Sequence, residues 1–175
     1  MAFLKEVNVP ENARRTVYAA AAMEVGEWVK LDGEFSAGDI ATLTSTNSNK
    51  PGYASTGDMK VTSLTSSDDN ITGRVGVVGK KIYIPEDSDT DHDDIAAGQS
   101  CILYTAGQFE TDMYVSVSGT GGAFGDYLKV NDDAKLIEEA SATTETAKSV
   151  ARVIRVNDGS RGGDTTKDSL VFEIL

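Results

Sequence analysis

The chain has 175 residues and a mass of 18.5 kDa, enough to bury a real core in one domain without covalent staples. Sixteen basic residues against 28 acidic ones leave a net charge of −12, which repels nucleic-acid phosphates and anionic membrane surfaces, so neither is expected as a partner. Cys101 is the one cysteine and His92 the one histidine. Intrachain disulfides and multi-cysteine zinc sites are thereby excluded, as are most Ser/His and Cys/His catalytic schemes. Seventeen Thr, 15 Ser and 17 Gly favour strands and turns over helices.

Residues 1–22 read as an N-terminal arm, extended rather than helical. Phe3, Leu4, Val7 and Val9 show no clear period, although Ala19 to Ala22 and Arg14-Arg15 would also suit a short helix begun at Pro10. Charge at Lys5-Glu6 directly after Phe3-Leu4 breaks any signal-peptide apolar run, and Ala19 to Ala22 is too short for a membrane span.

Residues 23–175 read as a single β-rich domain. Val25 to Leu31 predicts a strand closed by a hairpin signal at Asp32-Gly33. Ile40 to Thr44 predicts the next, led in by Gly38-Asp39, and Met59 to Leu64 alternates as a third. Val75 to Val78 and Lys81 to Pro85 form a pair bent at Gly79. Ser100 to Thr105 is a continuous apolar run suited to a central strand. Phe109 to Val117 alternates, with Met113, Val115 and Val117 on one side. Tyr127 to Val130 and Lys135 to Ile137 form a hairpin around Asn131–Ala134, against the competing reading of a helix over Asp133 to Ala140. Lys148 to Val156 is a strand with Val150, Arg152, Ile154 and Val156 on one face, and Leu170 to Leu175 is the last. Long polar loops fall at Ser45–Asp58, Glu86–Asp94 and Gly159–Asp168. The fold class is therefore all-β, a single β-sandwich or barrel-like domain with an extended arm. Gly38-Asp39-Ile40 with Gly73-Arg74-Val75, and Gly125-Asp126-Tyr127 with Ala151-Arg152-Val153, echo each other and hint at two similar β layers.

The chemistry-bearing motifs fall short of their patterns. Asp87, Asp89 and Asp91 have the alternation of a calcium loop, but that loop needs glycine where His92 stands and glutamate where Gly98 stands. Arg74 to Lys81 resembles the end of a phosphate-binding loop without its first glycine or its final Ser or Thr. The stretch Ser118 to Gly125 has Phe124 where a dinucleotide fingerprint needs glycine. Cys101, beside Ile102 and Leu103, reads as a buried thiol. The pairs Asp68-Asp69, Asp93-Asp94 and Asp132-Asp133 keep a carboxylate-and-metal enzyme in view, yet all sit in turn-like segments where Asp is favoured anyway. No catalytic residue, metal ligand or cofactor is assigned. The best partner-binding candidates are Phe3, Leu4, Arg14, Arg15 and Tyr18, positive and aromatic groups on an arm of an acidic chain.

Gly26-Glu27-Trp28-Val29-Lys30, Gly38-Asp39 and Gly73-Arg74-Val75-Gly76-Val77-Val78 resemble tailed-bacteriophage capsid cement, or head-decoration, proteins. So do Gly125 to Val130, the turn at Asn131–Ala134, Lys135 to Ile137, and Val150 to Ile154. The resemblance spans Met23 to Val156 and lies in texture and motif order. It implies a non-enzymatic virion protein on the outside of an icosahedral shell, bound to a major capsid protein of HK97 type as a homodimer or homotrimer. The loops at 45–58 and 86–94 depart from the family as apparent insertions. The alternative expectation is a tail or receptor-binding accessory β domain that binds a glycan or a divalent cation, motivated by the acidic loop.

Overall fold

The computed structural model describes residues 3–43, 51–82, 94–115, 123–139, 142–157 and 169–175. Its strands, in chain order, are β1 (Leu4–Asn8), β2 (Arg14–Ala19), β3 (Met23–Glu24), β4 (Trp28–Glu34), β5 (Met59–Ser63), β6 (Val75–Lys81) and β7 (Asp94–Ile95). They continue with β8 (Ser100–Tyr104), β9 (Gly107–Thr111), β10 (Tyr114–Val115), β11 (Tyr127–Val130), β12 (Leu136–Glu138), β13 (Ala151–Asn157) and β14 (Ser169–Ile174). One short helix, α1 (Ala37–Thr42), follows β4, and a single 3-10 turn (Glu11–Ala13) joins β1 to β2.

Five strands close a barrel in the order β2-β5-β4-β6-β8, and seven form an open sheet in the order β1-β9-β14-β13-β11-β12-β10. The barrel closes because β2 pairs parallel with β5 on one side and antiparallel with β8 on the other. The all-β, barrel-like class expected from composition is the one observed.

Two cores follow from which strands are covered on both sides. Successive strand residues point to opposite faces. In β4, β6 and β8 both faces are buried, so Trp28-Val29, Val77-Val78 and Leu103-Tyr104 are continuous apolar pairs. Val17, Val29, Val61, Val78, Cys101 and Leu103 fill the barrel. Trp28, Val77 and Tyr104 point outward from it into a second core, where they meet Phe109, Leu128 and Phe172 of the open sheet. Trp28 and Phe172 rings lie 5.8 Å apart, Phe109 and Phe172 5.9 Å, and Tyr104 and Phe109 4.8 Å. This aromatic seam joins barrel to sheet. Aromatic pairs of this kind contribute about 0.5–1.5 kcal/mol each beyond their burial.

Several expectations need correction. Leu4–Asn8 and Arg14–Ala19 are extended as expected, but they are paired into the domain rather than standing apart from it as an arm. β1 is the edge strand of the open sheet, and β2 is a wall of the barrel. Leu4 supplies the apolar contact for β1, and Val17 and Ala19 for β2. Gly38-Asp39-Ile40 leads no strand but lies in α1. Ser36 caps that helix by accepting from the Asp39 N–H, while the Asp39 carboxylate accepts from the Ser36 N–H, a closed capping box. The internal echo fails at that point. Asp32-Gly33 is not a hairpin turn. Gly33, at φ +81°, sits in β4 where its register against β5 shifts, so the glycine serves a bulge.

β6 runs unbroken through Gly79, and the expected bend appears as a register shift against β8 between Val78 and Lys81. Asp112-Met113 splits the strand expected over Phe109 to Val117. Of the residues expected on one side, Met113 is buried and Val115 exposed, and Val117 lies outside the described residues. In β13 the core face carries Ala151 and Val153, not Arg152. A bulge between Val153 and Arg155 then returns Val156 to the core side. The β11–β12 hairpin holds as expected, with Asn131 N–H donating to the Lys135 carbonyl and Ala134 in the left-handed region. Of the loop at 45–58, the described part is tied down. Ala54 N–H donates to the Gly98 carbonyl, and Phe35 N–H to that of Asp58.

Candidate functional site

The five residues singled out for partner binding lie on β1, β2 and the residue before β1. Phe3 donates its N–H to Asp112 Oδ1 at 2.8 Å, and its carbonyl accepts from Thr111 Oγ1 at 2.9 Å. Leu4 packs against both cores at the junction of barrel and sheet. Arg14 is paired with Glu6 across 2.5 Å. Arg15 is exposed although in phase with the buried Val17 and Ala19, and it makes no ion pair with any described residue. Tyr18 is half-buried beside Lys60 and Ser100. Burial, with the nearby charge of Asp58, pushes its phenol above the ordinary range. The structure thus brings Arg14 to Glu6, seats Leu4 against the cores on the same side of β1, and leaves Tyr18 towards the other end of β2.

Glu6 was not singled out from the sequence, and it is the centre of this site. Alternation along β1 turns Leu4 and Glu6 to the same side, and Lys5 to the other, where its ammonium stands 4.0 Å from Glu110. The Glu6 carboxylate accepts hydrogen bonds from the Arg14 guanidinium and from the Tyr104 hydroxyl. Partial burial pushes the Glu6 carboxyl up. The bonds from Tyr104 and Arg14 and the charges of Arg14 and Lys80 outweigh it, holding the group below the usual carboxylate range. Burial first, then the Glu6 contact, lifts the Tyr104 phenol to about 12. One carboxylate therefore locks β1 of the sheet to β2 and β8 of the barrel. No local pattern announces this, since Tyr104 lies 98 residues from Glu6 in sequence.

Lys80 of β6 adds its charge to that of Arg14 at Glu6, and β2 and β6 both pair with β8. By strand alternation the exposed Arg15 turns to the opposite face of β2 from Arg14. The free edge of β1 carries Val7, 51% exposed. As an edge strand it presents unpaired backbone groups on the side away from β9.

The other candidates take structural places. Asp68 accepts from Lys30 and from Thr65, and its carboxyl is held low chiefly by the Lys30 bond. Asp132 accepts from the N–H and hydroxyl of Ser66, which lowers it as well and joins the β5–β6 connection to the β11–β12 turn. Cys101 is fully buried in the barrel, and burial pushes its thiol up to about 12, so it carries no thiolate at neutral pH. His92, Asp87, Asp89, Asp91 and the glycines at 119–122 lie outside the described residues. Among the described residues, no group of three or more His, Cys, Asp or Glu is placed to hold a metal ion.

Compared with protein-family models and with curated protein sequences, the chain matches none.

Proposed function

We propose that the chain is a structural virion protein, a cement that binds the outer surface of an icosahedral phage capsid and stabilises contacts between capsomers. One observation carries the reading. Four of the segments that resemble head-decoration proteins, distant in sequence, pair as neighbours, while Gly38-Asp39 lies in α1. Trp28, Val29 and Lys30 of β4 pair with Val77, Gly76 and Val75 of β6. Tyr127 and Leu128 of β11 pair with Arg152 and Ala151 of β13. This pairing supports the reading.

The electrostatics fit the role. A net charge of −12 keeps decorated particles apart in solution. Arg14 and Lys80 beside Glu6, the exposed Arg15 on the other face of β2 and the open β1 edge are the groups that would meet an HK97-type capsid protein. Assembled as a dimer or trimer, many such contacts act together, so each contact need be only weak.

Mass spectrometry of purified mature particles tests the proposal. The chain is expected as a component in fixed ratio to the shell protein, and particles stripped of it are expected to lose DNA at lower temperature. Mature particles that lack the chain would rule the reading out.

A further inference from the structure

We propose that β1 is an exchangeable strand, and that the place it occupies on β9 is a binding site for β1 of a second copy of this chain. The place is defined by contacts specific to that strand. Leu4 enters the junction of the two cores, and Lys5 faces Glu110. Glu6 takes hydrogen bonds from Arg14 and Tyr104. The Phe3 N–H donates to the Asp112 side chain, and its carbonyl accepts from the Thr111 hydroxyl. An identical strand from another molecule satisfies every one of these groups. The occupancy seen within one chain therefore specifies which ligand fits between two.

Little apolar surface holds the strand in place. Of its five residues only Leu4 is substantially covered by the cores, and Lys5, Glu6, Val7 and Asn8 are exposed. Elements with so little buried apolar surface open at the low end of the stability range. Within the described chain, β1 is tethered to the barrel only through Val9–Ala13. Pro10 there is extended, at φ −60° and ψ 142°, and the reversal depends on one 3-10 turn closed by the Ala13 N–H to Pro10 carbonyl bond. Pro10 also holds Val9 in the extended region. Once the β9 ladder and the Glu6 bonds to Arg14 and Tyr104 break, opening that turn carries β1 away from its own sheet while β2 keeps its ladder to β8. A short connection between an edge strand and a different structural body is the arrangement that permits exchange between copies. Leaving exposes β9, the next strand in the sheet, and an exposed edge accepts a strand readily. Within one chain β1 meets β9 at an effective concentration of order millimolar, so exchange competes only where copies are crowded to comparable levels.

The exchange requires only a second copy, so its failure is read separately from any failure to bind a shell. The test uses full-length chains carrying either Lys5→Cys or Glu110→Cys. These positions face each other across β1 and β9, at a separation of about 4.5–5.5 Å that a disulfide spans. The native Cys101 is buried and stays unreactive. Each variant alone has no intrachain partner, and chance collision joins like with like as well as unlike, so a heterodimer in excess of the two homodimers reports β1 of one molecule on β9 of another. A chain carrying both substitutions reports the closed form. The expected result is intrachain closure of the double variant when dilute, and mixed heterodimer rising at least tenfold as the mixture is concentrated from about 10 μM towards 1 mM. A second pair, Asn8→Cys with Gln108→Cys, is expected to behave alike. Full intrachain closure with no heterodimer at any concentration in either pair would overturn the proposal. So would failure of both double variants to close, because the strand would then not occupy its place at all.

Discussion

Gly76 bears most directly on how the barrel closes. It lies in β6 against β8, and a Cβ added there would stand 2.0 Å from the Tyr104 carbonyl oxygen and 2.9 Å from both the Tyr104 carbonyl carbon and Leu103 Cδ1. Ordinary carbon–oxygen contacts between strands are about 3.3–3.6 Å, so Gly76→Ala forces β6 and β8 apart by roughly 1 Å or more. The obstacle is backbone and cannot swing aside. Overpacking costs about 1–3 kcal/mol. The neighbouring Val77–Tyr104 and Val78–Leu103 pairs then lose hydrogen-bond geometry at about 0.5–1.5 kcal/mol each. A total of about 3 kcal/mol is expected, which for a chain of this size lowers the thermal midpoint by roughly 6–12 °C. Gly33→Ala is the control. It has φ +81° and nothing within 4 Å of the added methyl, so only backbone strain of about 1–2 kcal/mol applies. Urea denaturation of both variants, with slopes compared, gives the difference. A Gly76→Ala loss no larger than that of Gly33→Ala would refute the close approach of β6 to β8.

Other consequences are as direct. Phe172→Ala removes the ring stacked on Phe109 and tilted against Trp28 and is expected to cost about 3–5 kcal/mol by chemical denaturation; a loss under 1 kcal/mol would contradict the shared core. The Glu6 carboxyl is held below its ordinary range, so its stabilising contribution is present above the unfolded pKa and disappears as pH falls through the folded one. The thermal midpoint of Glu6→Gln should therefore lie below the parent's at pH 7 and converge on it as the pH falls below the ordinary carboxylate range, and a gap that widens in acid would reverse the sign. Cys101 should resist alkylation at pH 8 in the native chain and react fully in denaturant, as its buried thiol requires. Removing residues 1–9 takes away β1 alone and should leave a cooperative thermal transition, whereas removing residues 1–20 also takes β2 out of the closed barrel and should abolish it.

What the sequence disclosed and what it hid divide along local and non-local physics. Ser100 to Tyr104 was legible as a continuous apolar run and Tyr127 to Val130 from the turn residues beside it, both of which are local signals. The hairpin at Asn131–Ala134 was legible for the same reason. Gly38-Asp39 misled because its neighbour Ser36 makes a capping box with Asp39, and strand texture outweighed that four-residue signal. Bulges at Gly33 and after Val153 reassigned faces by one residue, a change that hydrophobic pattern alone does not register. β1 and β2 looked like an arm because their partners, β9 and β8, lie about a hundred residues onward. Arg14 and Leu4 were found from their residue type. Glu6 was missed because an exposed-looking carboxylate gains its role only when Tyr104 and Arg14 are folded against it.

Co-sedimentation of the purified chain with expanded, empty capsids of the virus that encodes it tests the capsid-cement proposal most directly. Saturable binding at a small-integer ratio to the shell protein, weakened when Arg14, Arg15 and Lys80 are replaced by Glu, is the expected result. A chain that stays in the supernatant at every shell concentration would contradict it.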